Sequence, residues 1–212
     1  MYDEEYSEIF ITGRDGLPSK IMHRTLEKDL KGEHFSDVLE VGANKGEHLK
    51  HIQHTFDSYL LSDITKRLNS DVLPANVSFQ IQDVCNLTLS SSQFDLCIVT
   101  CVLQHVENPE RALRELLRVA KPGGLARILL QNDTTPTFRA IRKLSTVRRA
   151  KKFGVLDEVE LFFAREHRNN FFSVAKLAEI IYKQHNFRSY SFPSKFMPAE
   201  IFRIIEFRKS FN

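Results

Sequence analysis

The sequence predicts an α/β fold: a mostly parallel sheet with helices on both faces, closed by an antiparallel hairpin at the carboxyl end. Three observations predict it. Short apolar runs recur between helical patterns and carry an acid or a threonine at or next to their carboxyl end, at residues 38–41, 59–63, 77–83 and 94–100. The first of them passes through a glycine-bearing turn, Gly42-Ala43-Asn44-Lys45-Gly46, directly into a helical pattern. Near the carboxyl end, two strand-like runs at 187–192 and 200–208 are joined by a turn through Pro193 and Pro198.

The 212 residues give room for one domain with a full core and a small cap, not for two independent catalytic domains. A net charge of +3 does not by itself imply nucleic acid. No apolar run approaches the ~18 residues of a membrane helix, and the acidic, polar start does not read as a signal peptide. Cys85, Cys97 and Cys101 fall in or beside predicted core strands, without metal-ligand spacing. Their odd number points to a reducing, cytoplasmic setting.

In chain order, residues 1–16 carry Tyr2, Tyr6, Ile9 and Phe10 among acids and lead into a turn at 13–18. A helix is expected over 19–31, with Ser19 as cap, Ile21, Met22, Leu26 and Leu30 on one face, and Gly32 closing it. His23 and His34 beside it read as surface or packing residues. The strand at 38–41 places Glu40 near its carboxyl end, the side on which open α/β sheets bind ligands. In the turn that follows, Gly42 and Gly46 allow close backbone approach, and asparagine tolerates left-handed angles at Asn44. Residues 47–55 are expected to continue as a helix bearing His48, His51 and His54. His51 and His54 share a face, but neither a third ligand nor a His-Glu-x-x-His pattern accompanies them, so no metal site is expected.

The second strand ends at Asp63, with a further helix expected from Thr65, and the third ends at Asp83. The fourth runs into Thr100-Cys101-Val102-Leu103-Gln104-His105-Val106. Asn108-Pro109-Glu110 opens a helix whose buried stripe is Leu113, Leu116, Leu117 and Ala120, and Lys121-Pro122-Gly123-Gly124 is expected to end it before a fifth strand at 125–130. Residues 137–152 then turn strongly basic, with Phe138, Ile141 and Leu144 at helical spacing. That helix presents a solvated face or a contact for a phosphorylated small molecule, an anionic membrane surface or RNA; aromatic platforms for single-stranded nucleic acid are not interleaved with its charges. Residues 154–172 interrupt the alternation, and Ser173 is expected to cap a last helix carrying Val174, Leu177, Ile180 and Ile181.

Over residues 37–131 this succession resembles the class I S-adenosylmethionine-dependent methyltransferases, their small-molecule branch in particular. The resemblance implies a Rossmann-like seven-stranded, mostly parallel sheet within a single domain, residues 1–212. Its expected parts are an N-terminal lid and helix (1–34), a cofactor-binding core (35–131), a substrate cap (132–172) and a terminal helix with hairpin (173–212). It also implies S-adenosyl-L-methionine as cofactor. One departure stands in the loop, where Asn44 replaces the middle glycine of the acid-x-Gly-x-Gly-x-Gly pattern.

Carried over position by position, the resemblance implies that Glu40, Gly42, Ala43, Asn44 and Gly46 meet the cofactor, Asp63 its ribose, Asp83 and the Val84 amide its adenine, and Ile64 the adenine face. Thr100 lies beside the sulfonium. Arg14 would pair with the cofactor carboxylate, with Tyr6 nearby as an acceptor contact. His105 reads either as the base that takes a proton from the acceptor or as a structural histidine. Gln104, His167 and Arg168 are the remaining acceptor contacts. No Asn/Asp-Pro-Pro-Tyr run follows the fourth strand, as amine-modifying members have, and Thr100 and Cys101 stand where metal-dependent members carry an acid. An oxygen of a sugar-like or phosphate-bearing metabolite is therefore expected as acceptor, with a small amine, or cofactor binding without catalysis, as alternatives. A dinucleotide-dependent oxidoreductase lacks its Gly-x-Gly-x-x-Gly here.

Overall fold

The computed structural model of the protein describes residues 17–69, 72–154, 156–157, 168–194 and 199–211. Its seven strands are β1 (His34–Val41), β2 (Thr55–Asp63), β3 (Val77–Ile81), β4 (Phe94–Thr100), β5 (Ala120–Gln131), β6 (Asn186–Phe192) and β7 (Phe202–Arg208). They form one sheet in the order β3-β2-β1-β4-β5-β7-β6. The first five strands are mutually parallel, and β7 runs antiparallel to both β5 and β6. The expected sheet and terminal hairpin are thus present. The order reverses between β1 and β4, which is where an open α/β sheet leaves a crevice beyond its carboxyl ends.

Two cores cover the two faces. On one, α2 (Pro109–Val119) and α5 (Phe171–Tyr182) pack Leu113, Leu116, Val174 and Ala178 onto Leu39, Val41, Cys97, Val99 and Ile128. Tyr182 stacks on Phe207 at 3.9 Å and donates its hydroxyl to the Leu113 carbonyl at 2.8 Å, locking helix to helix and to sheet. On the other, α1 (Leu17–Leu26) brings Leu26 against Val38, Leu61, Ile98 and Leu129, with Leu30 packed beside it. Asn108 caps α2 as expected, its side chain accepting the Arg111 amide at 2.9 Å with Pro109 in the first turn.

Several expectations are corrected. α1 ends at Leu26, five residues short, because the guanidinium of buried Arg127 takes the carbonyls of Leu26 and Lys28 while it pairs with Glu206. Only a 3₁₀ turn, Leu49–His51, stands where a helix over 47–55 was expected. No helix begins at Thr65 either, so among the described residues the β1–β2 and β2–β3 connections contain no α-helix. β5 starts at Ala120, so Lys121 to Gly124 lie in a strand rather than at a helix end. The Lys121 ammonium explains this: it bridges Asp37 of β1 and Asp95 of β4, each at 2.8 Å. The last helix is capped by Asn170, whose side chain accepts the Phe172 amide at 2.8 Å, and not by Ser173. Residues 1–16 of the expected lid and 158–167 of the expected cap lie outside the described residues.

Candidate functional site

The carboxyl ends of β1, β2 and β4 meet at the glycine-bearing loop. Gly42, Asn44 and Gly46 all hold left-handed backbone angles, at φ +77°, +48° and +76°, so Asn44 fills its glycine position in the conformation asparagine tolerates best. A Cβ on Gly42 would stand 2.0 Å from Cγ2 of Val102, which shows how closely the loop after β4 lies on the loop after β1. Cys101, at φ +56°, is where β4 turns to make that contact.

The loop's amides are not free. Gly42 and Ala43 both donate to the Ser62 carbonyl at 2.8 and 3.0 Å, and Gly46 donates to the Ala43 carbonyl at 2.7 Å. The amide of Asn44 goes to Asp63 Oδ2 at 2.9 Å and that of Lys45 to Glu47 Oε2 at 3.2 Å. What the loop offers a ligand is therefore side chains and carbonyls. Two buried oxygens, Asn44 Oδ1 and Thr100 Oγ1, have no hydrogen-bond partner among the described residues. Buried polar atoms are nearly always paired, so two unmet oxygens at the ends of neighbouring strands mark a place where a polar ligand fits.

Asp63 braces the loop and also accepts the Thr65 amide at 3.3 Å. An ionised carboxylate has about four lone-pair positions, so capacity remains for two hydroxyls. Asp83 is exposed; its Oδ1 closes a turn on the Cys85 amide at 2.8 Å. Beside these acids Ile64 and Ile81 are 67 % and 64 % exposed, two apolar surfaces next to two carboxylates. Val84 turns its side chain into the core, which leaves only its backbone for a ligand.

Glu40 differs from expectation: its carboxyl is buried and accepts the Tyr59 hydroxyl at 2.8 Å, beneath the loop rather than at its surface. Burial pushes it up to about 7, against the opposing pull of His48 and the Tyr59 bond. A carboxyl raised above its ordinary value stabilises the fold fully below pH ~4.5 and loses that contribution as pH rises through 7. Glu40→Gln keeps an acceptor for Tyr59 and cannot ionise. It should be more stable than the natural protein above pH 7, by up to about 3 kcal/mol, with the gap closing towards acid pH. Urea unfolding across that range reads the difference, and a gap that widens on acidification contradicts the assignment.

Gln104 is also corrected. It is 1 % exposed, and its amide is spent on the end of β5: Nε2 donates to the Gln131 carbonyl at 2.9 Å and Oε1 accepts the Gln131 amide at 3.1 Å. It holds the β4 loop to β5 from a buried position. His105 is half-buried in that loop, its amide bonded to the Val102 carbonyl at 2.9 Å. Arg168 reaches the same loop through Glu107 at 3.2 Å, both side chains exposed. Sequence reasoning missed Asn169, whose side chain donates to the carbonyls of Leu103 and Val106 at 3.3 and 2.6 Å and whose amide donates to Gln104 O at 3.0 Å. Tyr6, Arg14 and His167 lie outside the described residues.

A second missed feature underlies the loop. Buried Glu27 accepts from His48 Nε2 at 2.9 Å, from His54 Nδ1 at 2.8 Å and from the Gln53 amide at 3.0 Å. His23 Nδ1 lies 3.0 Å from His48 Nδ1, and its ring stacks on His51. Of the three histidines expected along a helix, His48 and His54 instead hold the Glu27 carboxylate that follows α1, and His51 stacks on His23. Among the described residues, no group of three or more His, Cys, Asp or Glu is arranged to hold a metal ion. No described helix is long and apolar enough to cross a membrane.

Residues 39–128 match the sequence model of the family described as Methyltransferase domain, Methyltransf_11. Over 172 residues the chain is 26 % identical to Methyltransferase nsrG of Aspergillus novofumigatus, a match covering 74 % of this chain and 65 % of that protein. Over 116 residues it is 30 % identical to a Ubiquinone biosynthesis O-methyltransferase of Coxiella burnetii, covering 50 % and 47 %. The chain thus spans between about half and two thirds of the length of these curated relatives. The crystal structure of an S-adenosylmethionine-dependent methyltransferase from Mesorhizobium loti superposes with a TM-score of 0.61 at 15 % identity, over 92 % of this chain and 99 % of that one, a likeness of fold.

Proposed function

We propose that this chain, whose residues 39–128 match the Methyltransferase domain model, is a class I S-adenosylmethionine-dependent methyltransferase that binds that cofactor across the carboxyl ends of β1 to β4 and passes its methyl group to a hydroxyl of a small molecule. The observation that carries the reading is the left-handed loop pressed against Val102, with unpaired Asn44 and Thr100 oxygens at its edge and Asp63 and Asp83 on the next two strands. When bound, the cofactor supplies a methyl group made electrophilic by a sulfonium. The chain's task is then to hold the partners in line and keep water out.

In this reading the spare lone pairs of Asp63 take the ribose hydroxyls and Asp83 takes the exocyclic amine of adenine, whose faces rest on Ile64 and Ile81. Asn44 and Thr100 find the partners they lack. His105 accepts the acceptor's proton, on a loop that Gln104 and Asn169 fix from behind. A hydroxyl acceptor is supported by the missing Asn/Asp-Pro-Pro-Tyr run after β4 and by the Coxiella relative's name as an O-methyltransferase. Sugar-like and phosphate-bearing metabolites are hydroxyl acceptors of this kind, and phenols suit that relative's name.

Calorimetric titration with S-adenosylmethionine and S-adenosylhomocysteine tests the reading. Asp63→Asn retains an acceptor for the Asn44 amide and removes the charge, so cofactor affinity should fall roughly 10- to 100-fold. An unchanged affinity would place the ribose elsewhere. Transfer of labelled methyl into hydroxyl-bearing metabolites identifies the acceptor, and an unaltered rate in His105→Ala removes His105 as the base.

A further inference from the structure

Between Asp133 and Asp157 the chain carries Arg139, Arg142, Lys143, Arg148, Arg149, Lys151 and Lys152 and no acid. The whole chain is +3 and this stretch +7, so everything outside it sums to −4. From Pro136 to Phe153 it is continuously helical: α3 (Pro136–Arg142) passes through a π turn (Lys143–Val147) into α4 (Arg148–Phe153), closed by Gly154 in the left-handed conformation. Ala150 is fully buried and Phe138, Ile141 and Val147 are half-buried, whereas Arg139, Lys143, Leu144, Arg148 and Lys151 are exposed.

The spacing of those four cations is four, five and three residues. The five-residue step falls across the π turn, whose i→i+5 bonding brings Arg148 back beneath Lys143. The helix therefore presents one basic line, with Leu144, 73 % exposed, in its middle. None of the four cations forms an ion pair among the described residues.

We propose that this helix is the surface by which the protein docks on an anionic lipid bilayer. Lysine and arginine stems lie along an interface with their charges at the headgroups, and a lone leucine between them enters the acyl boundary. Single-stranded nucleic acid calls for aromatic platforms, and the exposed line has none. The root of the helix is fixed: Thr135 caps α3 through the Phe138 amide and donates to the carbonyls of Asn132 and Glu200. It stands four residues after β5, whose end Gln104 ties to the β4 loop, so docking sets the acceptor edge of the sheet beside the lipid surface. That last consequence rests on the methyl-transfer reading; the docking itself does not.

The test is flotation of the whole chain with vesicles of phosphatidylcholine alone or with about 30 mol% phosphatidylglycerol, at about 0.05 M and about 0.5 M salt. Binding is expected to the anionic vesicles only, and to be lost at the higher salt. Replacing Arg139, Lys143, Arg148 and Lys151 together by Gln should weaken it by roughly three orders of magnitude. Leu144→Ser, which leaves the charge unaltered, should weaken it several-fold. Cofactor titration and thermal melting of both variants should match the natural protein, which separates lost docking from lost folding and from failure of the methyltransferase reading. Equal binding to neutral vesicles, no binding at low salt, or binding to a single-stranded RNA oligomer that exceeds vesicle binding and ignores Leu144→Ser would each overturn the proposal.

Discussion

Gly42→Ala is expected to destabilise the fold by about 3 kcal/mol and to remove measurable cofactor binding. Two costs combine. The residue holds φ +77°, which an L side chain adopts only under strain, and its new methyl would stand 2.0 Å from Cγ2 of Val102. Val102 is β-branched and leads a loop tied down at Gln104 and by Asn169, so it cannot swing aside without dragging those contacts. The double variant Gly42→Ala, Val102→Ala separates the two costs: it should regain the steric part and keep roughly 1–2 kcal/mol of backbone strain. Thermal melting with and without S-adenosylmethionine measures both. A Gly42→Ala protein that melts like the natural one would mean that the two loops are not in contact.

Glu27→Ala is expected to cost about 3–5 kcal/mol, because it strands the ring N–H groups of His48 and His54 and the Gln53 amide in a buried site. Burial alone would raise this carboxyl, but the hydrogen bonds from His48 and His54 outweigh it and bring it down to about 2. His23 is lowered to about 3 by burial, then by His48 and His51. A depressed pKa stabilises fully above the group's ordinary value and loses that contribution as pH falls to the folded value. His23 thus withdraws stability from about pH 6.5 downwards and Glu27 from about pH 4.5, both in the same direction. Between pH 7 and about pH 4.5 the raised Glu40 carboxyl works the other way and offsets His23, so the natural protein should lose stability mainly below about pH 4.5, and Glu27→Ala should start lower and fall less steeply there. Urea midpoints across that range decide it. A fall steeper than that of the natural protein would contradict the buried contacts of Glu27.

The sheet was legible because its strands are short apolar runs ended by polar residues at regular intervals, a local pattern that survives in the fold. The helix after the glycine loop was not, because what replaces it is a long-range event: Glu27, far earlier in the chain, draws His48 and His54 inward and unwinds the intervening residues to one 3₁₀ turn. Arg127 shortens α1 in the same way, through contacts about a hundred residues apart. The left-handed Asn44 was readable from residue type alone, and so was the cap at Asn108. Gln104 was placed on the right loop and Glu40 at the right strand end, but which way a side chain turns depends on partners, Gln131 and Tyr59, that no local pattern announces.

β3 pairs only with β2, four of its five residues are at least partly exposed, and no described α-helix lies in its connection from β2. The strand leading to Asp83 is thus a short edge strand held from one side, while the loop from Gly42 to Gly46 sits between strands paired on both sides. The pocket has one stiff jaw and one compliant jaw. Amide deuteration should be quick along Val77–Ile81 in the free protein and slow once adenosine fills the gap, making ligand capture itself the event that finishes folding this edge.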